Sequence, residues 1–171
     1  IRKKAVFPTT TPRETLGQTV DFFRFAEAEL GPLSALGLAC FGPVDLRKNS
    51  PAYGSITSTP KPGWRNTDIL GILKTNFSSP MGFDTDVNGA ALGEARWGAA
   101  RKHSSVLYLT VGTGIGGGAL VDGRPLHGLV HPEIGHIRVP HDPRHDNFPG
   151  CCIFHGDCLE GLAAGPAIQK R

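Results

Sequence analysis

Between positions 11 and 32 the hydrophobic residues recur at helical spacing: Leu16, Val20, Phe23 and Leu30. The entry to this run carries helix signals of its own. Thr11 suits the N-cap, Pro12 suits the first helical position, and Glu14 completes a Thr-x-x-Glu capping box. Gly31-Pro32 closes the helix. Residues 33–41 (LSALGLACF) are an apolar run that predicts a buried strand, and GPVD at 42–45 predicts a turn. From Leu46 to Arg65 the chain is polar and rich in proline and glycine, which predicts a long ordered loop of the kind that usually serves function. A short helix is predicted over 67–74, a strand over 81–85 and a helix over 87–102. SSVLYLTV at 104–111 is the clearest strand, rich in β-branched and apolar residues. A glycine run follows at 112–118, then a hairpin turning at Asp122-Gly123. Helices and strands in this alternation predict an α/β or mixed α+β protein and exclude an all-β one.

Composition narrows the class. The chain has 171 residues, of which 23 are glycine and 14 proline, with 39% hydrophobic and 19% charged. That mix fits a globular protein rich in turns and excludes a coiled coil. Net charge is +3, with basic residues scattered, so neither a basic stripe nor a nucleic-acid recognition motif is present. No stretch approaches the ~20 apolar residues of a membrane span, and IRKKAVFPTT lacks the apolar core of a signal peptide. The expected location is therefore the cytoplasm.

Three segments carry chemistry. In GTGIGGG, Gly112, Gly114 and Gly117 satisfy GxGxxG, but a hairpin follows where a dinucleotide fold needs a helix. No Gly-Lys-Ser/Thr is present for a Walker loop. A Thr-Gly-rich turn between two strands remains. It exposes backbone N–H groups and the Thr113 hydroxyl, which suits phosphate oxygens, or it is a tight hairpin with no ligand.

In DTDVNGAALGE, Asp86 stands where a strand ends and a helix begins. It reads either as an N-cap or as a carboxylate at the sheet edge that takes a proton from an attacking hydroxyl; Asp84 is a competitor.

Three of the four cysteines and five of the seven histidines lie between 131 and 158. His136, Cys152, His155 and Cys158 form a Cys-x2-His-x2-Cys knuckle closed by a distant histidine, a set suited to tetrahedral zinc, with Cys151 as an alternative to Cys152. Glu133 and Glu160 flank this cluster and suit a polyhydroxylated ligand, or are surface charges.

Together SPAYGSITSTPKPGWRNTDILG, GFDTDVNGAALGEARWGAA, LTVGTGIGGGALVDGRPLHG, HPEIGH and HGDCLEGLAAGPAI resemble the ROK family of sugar kinases and regulators. The resemblance is strongest to its zinc-containing bacterial fructokinase branch. It implies an actin-like, ribonuclease-H-like ATPase fold with two α/β lobes around a cleft: residues 1–101 from the first lobe, and 102–171 opening the second, with a zinc segment at 131–160. It implies ATP:hexose 6-phosphotransfer, most naturally to fructose, with Mg2+ and structural zinc as cofactors and a homodimer at full length. By resemblance Asp86 is the general base. Gly112, Thr113, Gly114, Gly116 and Gly117 hold ATP phosphates. Thr85, Glu133, His136 and Glu160 contact the sugar, and His136 serves the metal as well. The alternative is a non-catalytic sugar-binding relative, although the helix-turn-helix of the family's repressors is not seen here.

Three departures from the family pattern stand out. Thr85 replaces the asparagine that precedes the base in many members, and His155 replaces a third knuckle cysteine. The N-terminal glycine-rich phosphate hairpin and the remaining nucleotide lobe are not found in these residues, so this chain alone is expected to show little kinase activity.

Overall fold

The computed structural model describes residues 1–129 and 131–171. They form two compact units, Ile1–Thr85 and Asp86–Arg171. The expected α/β mixture is found: five helices and five strands among the described residues.

In the first unit, α1 (Pro12–Leu30) begins where its cap signals lie, with Thr11 Oγ1 accepting from the Glu14 N–H at 3.3 Å. The Glu14 carboxylate takes the Thr10 hydroxyl at 2.7 Å. That bond, on an exposed group, holds its pKa below the usual glutamate value. Gly31 ends the helix at φ +88°. Strand β1 is Leu36–Cys40, shorter than the apolar run that predicts it. It pairs in parallel with β2 (Met81–Thr85), Leu36 opposite Met81 and Cys40 opposite Thr85. Helix α2 (Ile69–Asn76) is capped by Asp68, which accepts from the Gly71 N–H at 2.8 Å.

The long loop before α2 is ordered because it carries core residues. Val44, Ile56 and Trp64 are buried with Leu16, Val20, Leu70, Leu73 and Phe83 in one hydrophobic cluster. The Trp64 indole N–H donates to the Thr10 carbonyl at 2.8 Å, so the largest buried side chain leaves no polar atom unpaired. Gly54, at φ +86°, faces Leu70 so closely that a Cβ would overlap it. Asp45 is 2% exposed. Its carboxylate accepts from the Arg47 guanidinium at 2.5 and 3.0 Å and from the Ser50 hydroxyl at 2.7 Å. Arg47 holds the carboxyl well below its usual range. A carboxylate with a depressed folded pKa contributes stability above its unfolded pKa, which is lost as pH falls through the folded value. Asp45→Ala is therefore expected to destabilise this unit by about 2–3 kcal/mol at neutral pH, with the difference from wild type shrinking in strong acid. Urea melts across pH measure it, and equal stability of the two proteins at pH 7 would refute the assignment.

In the second unit, α3 (Asp86–Trp97) starts directly after β2 and ends five residues before the sequence predicts. The Gly98 N–H closes the last turn on the Glu94 carbonyl, and Glu94 Oε2 takes the Ala99 N–H at 2.8 Å. The side chain thus bonds the second amide past the helix, just after a glycine that weakens continuation. Strands β3 (Val106–Val111), β4 (Ile115–Val121) and β5 (Arg124–Pro125) form an antiparallel sheet, with Asp122 and Gly123 both at positive φ in the β4–β5 turn. Helix α3 packs on β3 and β4, which places it in this unit. Its close approach requires glycine: a Cβ at Gly118 would overlap the Val87 carbonyl. A 3-10 turn (Ile134–His136) and two short helices, α4 (Leu159–Ala163) and α5 (Gly165–Lys170), complete the unit. Among the described residues no helix is long and apolar enough to cross a membrane.

Candidate active site and metal centre

Asp86 is the first residue of α3 and is exposed. Its Oδ1 accepts from the next backbone N–H, that of Val87, at 2.9 Å. Asp84 lies on β2, half-buried, with Oδ1 on the Thr85 N–H at 2.8 Å. Thr85 is 4% exposed at the strand end. Of the two acidic residues, Asp86 presents its carboxylate to solvent at the carboxyl end of a strand.

The seven-residue glycine run divides in two. Gly112, Thr113 and Gly114 make the β3–β4 turn, and the Gly112 N–H reaches the Gly114 carbonyl at 2.9 Å. Gly116 and Gly117 lie within β4. A Cβ on Gly116 would lie 3.1 Å from Val87, and one on Gly117 would lie 2.8 Å from Ile134. These two glycines therefore have a packing role whether or not phosphate binds. The 3-10 turn bearing His136 is pressed onto the same strand, since a Cβ at Gly135 would overlap the Ile115 carbonyl. Sequence reasoning missed Gly118 and Gly135 as close approaches, and no local signal separates them from ordinary turn glycines.

His136, Cys152, His155 and Cys158 bring one ligand atom each to within 4.8 Å of one another. Cys151 is not among them. The turn explains the choice: Cys152 and Gly156 exchange backbone hydrogen bonds at 3.0 and 3.1 Å, with Gly156 at φ +66°. Cys151 instead donates its N–H to the Gly161 carbonyl at 2.9 Å. The opposite side of the site is held by the Leu159 N–H on the Ile137 carbonyl at 3.0 Å.

The donor spacing tests the fit to a metal. Cys152 Sγ lies 3.6 Å from His136 Nδ1 and 3.9 Å from His155 Nδ1, and Cys158 Sγ lies 3.5 Å from His136 Nδ1. A tetrahedral zinc with ordinary Zn–S and Zn–N bonds has S···N edges of about 3.6 Å. The residues fit. Without a cation, burial pushes the buried Cys158 thiol upward, with the Cys152 thiol adding to it. A bound cation would reverse that preference and hold both sulfurs as thiolates.

Of the five clustered histidines, only His136 and His155 join the donor set. His131 Nδ1 lies 3.6 Å from Glu133, which is exposed. His141 sits between Asp146 and Asp157 at 3.7 and 3.6 Å. His145 faces Asp142, whose pKa the Arg144 guanidinium lowers to about 2. His141 thereby braces the 141–146 loop against the residue preceding Cys158.

His136 turns Nδ1 toward the sulfurs, which leaves Nε2, across Cε1, as its second polar atom. Phe154 packs edge-on at 5.8 Å from that ring. Glu160, on α4, places Oε1 4.0 Å from His136 Nδ1 and accepts the Ile115 N–H on Oε2 at 2.9 Å.

The geometry has counterparts among known proteins. A family model described as "ROK family" matches residues 1–171. A fructokinase from Zymomonas mobilis subsp. mobilis is 53% identical over 168 residues, which cover 96% of this chain and 55% of the relative. The crystal structure of a ROK hexokinase from Thermus thermophilus superposes with a TM-score of 0.74 at 32% identity, covering 97% of this chain and 52% of that one. A ROK family glucokinase from Streptomyces griseus, solved with glucose and AMPPNP, gives a TM-score of 0.64 at 30% identity over 90% of this chain and 48% of that one. The chain spans about half the length of the relatives it matches.

Proposed function

This chain belongs to the ROK family and shares its α/β fold, and from that premise we propose that the protein carrying it is an ATP-dependent fructokinase. It transfers the γ-phosphoryl group of ATP to the 6-hydroxyl of D-fructose, giving D-fructose 6-phosphate and ADP. The observation that carries this reading is the 53% identity to a fructokinase across nearly the whole chain. The neighbour solved with glucose and AMPPNP supports a hexose and a nucleotide as the two small-molecule partners.

In this reading the second unit supplies part of what such a transfer uses. Asp86 is the general base: its carboxylate takes the proton of the 6-hydroxyl as that oxygen attacks the γ-phosphorus and the bond to ADP breaks. The N–H groups and Thr113 hydroxyl of the 112–114 turn receive phosphate oxygens. Because α3 is pressed onto Gly116 and Gly118, the base and this turn belong to one packed body. Mg2+, when bound with the nucleotide, supplies charge neutralisation on the phosphates. Glu133, His136 Nε2 and Glu160 Oε1 offer sugar contacts, and Thr85 stands next to the base.

His136, Cys152, His155 and Cys158 hold zinc in a structural role. Four protein ligands leave no position open for water activation, so the metal fixes the His136 ring and does not attack substrate. Thiolate ligands suit a reducing cytoplasm.

With the complete gene product, ADP release coupled to pyruvate kinase and lactate dehydrogenase is expected to depend on fructose, ATP and Mg2+ together. Turnover supported by no hexose would reject the assignment. Preference for another hexose would keep the kinase and replace the substrate. A sugar-sensing, non-catalytic role finds less support, because a fructokinase matches this chain at 53% identity.

A further inference from the structure

The glycine turn is clasped at both ends by the segment that follows the last cysteine of the metal cluster. The Gly165 N–H donates to the Gly112 carbonyl at 2.8 Å, on the β3 side of the turn. Glu160 Oε2 accepts from the Ile115 N–H at 2.9 Å, on the β4 side. Gly114 makes this second contact possible: a Cβ there would stand 2.6 Å from Glu160 Oε2. Glu160 itself is two residues past Cys158, and its other oxygen faces His136. One carboxylate therefore touches the proposed phosphate turn with one oxygen and borders the metal-bearing sugar side with the other.

We propose that Glu160 is a positioning residue for the phosphate turn, holding it through the Ile115 N–H so that the turn and the metal-bearing segment keep one register. The idea rests on the kinase reading only for the purpose of the register; the tie itself does not. A carboxylate acceptor on a backbone N–H is a charge-assisted bond, stronger than a neutral one. It joins residues 45 apart in sequence, so it fixes a relation that neither segment sets locally. With Oε2 committed to the turn, Oε1 is the oxygen left to meet a sugar hydroxyl. Loss of the side chain removes both functions, whereas glutamine keeps an acceptor for Ile115 and loses the charge.

The first test is amide hydrogen exchange of the complete gene product, read by NMR in the presence of zinc. Glu160→Ala is expected to speed exchange at Ile115 by about tenfold or more, the loss of one charge-assisted bond. Glu160→Gln should stay within about threefold of wild type, because its amide oxygen still accepts. Gly114→Ala, which displaces the carboxylate and leaves Glu160 in place, should behave like Glu160→Ala. Exchange at Leu120, buried deeper in the sheet, should not change; a merely structural lesion would speed it as well.

The second test is steady-state kinetics of the complete gene product. Glu160→Ala should raise KM for ATP by about fivefold or more together with KM for the sugar, and Glu160→Gln should raise the sugar KM while leaving the ATP KM within about twofold. Unchanged Ile115 exchange in Glu160→Ala overturns the proposal. So does an ATP KM that rises equally in Glu160→Gln and Glu160→Ala. Absence of any kinase activity in the wild-type gene product would reject the proposed function alone, since the exchange result is read without turnover.

Discussion

Asp86→Asn in the complete gene product is expected to lower kcat by about 10³-fold or more while the protein stays folded. General-base catalysis contributes typically ~10²–10⁴, and the amide that replaces the carboxylate cannot take the proton of an attacking hydroxyl. The fold has little reason to respond. Asp86 is exposed, and its carboxylate accepts from the adjacent Val87 N–H, which an asparagine oxygen can still meet. The remaining cost is the charge at the first turn of α3, worth about 0.3–1 kcal/mol at an exposed helix start. The substitution therefore separates the two readings of this residue. If Asp86 only starts the helix, asparagine does that as well as aspartate, and both turnover and melting temperature stay at the wild-type level. If it is the base, turnover collapses and the melt does not. Steady-state kinetics beside a thermal melt decide between them, and turnover within about threefold of wild type would sink the base assignment.

Much of the fold was legible because its signals are local. Thr11, Pro12 and Gly31 mark both ends of α1, and Asp122-Gly123 marks the β4–β5 turn, since each residue type answers a backbone need within a few positions. The end of α3 was not legible. Gly98 is a weak stop by itself, and the decisive contact is the Glu94 carboxylate bending forward to the Ala99 N–H. The four side chains that cluster as candidate metal donors could be read from Cys/His spacing, but the choice of Cys152 over Cys151 depends on the backbone exchange between Cys152 and Gly156. Histidine clustering overstated the metal site, because His131, His141 and His145 face carboxylates. The least legible feature is the Glu160–Ile115 tie. Sequence marks Glu160 as a sugar contact and the glycines as a cradle, and only three-dimensional structure shows that one holds the other. Gly116 and Gly117 carry the converse lesson: glycines that read as phosphate ligands also meet neighbouring side chains, which would crowd a Cβ at Gly116 and leave no room for one at Gly117.

Removing the proposed zinc is expected to cost the second unit at least about 3 kcal/mol and to abolish its cooperative melt at physiological temperature. The argument begins with the core. The large buried hydrophobic cluster, with Ile56, Trp64, Leu70 and Leu73, lies wholly in the first unit. Among the described residues of the second, the buried apolar set is Ala91, Ile115, Leu120, Ala164 and Ala167 together with Cys158. Five residues of that size, three of them alanine, bury little side-chain area, and domains under ~100 residues with a small core lean on disulfides or metals. No disulfide joins Cys151, Cys152 and Cys158 to share the load. The metal would join the 3-10 turn of His136, the Cys152–Gly156 turn and the start of α4, segments tied to one another otherwise by hydrogen bonds such as Leu159 to Ile137 and Cys151 to Gly161. Structural zinc in small domains supplies about 10 kcal/mol or more of binding free energy that is also folding free energy, so a loss of 3 kcal/mol is a lower bound. For a unit of this length that corresponds to a fall in Tm of about 12–24 °C. Metal analysis should find about one zinc per chain before chelation. Cobalt replacement should give the visible absorption of a tetrahedral thiolate-ligated ion. Cys158→Ala should reproduce the chelated melt, and Cys151→Ala should not, because Cys151 is outside the donor set. A chain that carries no metal as purified, takes up none on refolding with zinc, and melts identically with and without chelator would refute the metal centre and leave the packing of this unit without its principal support.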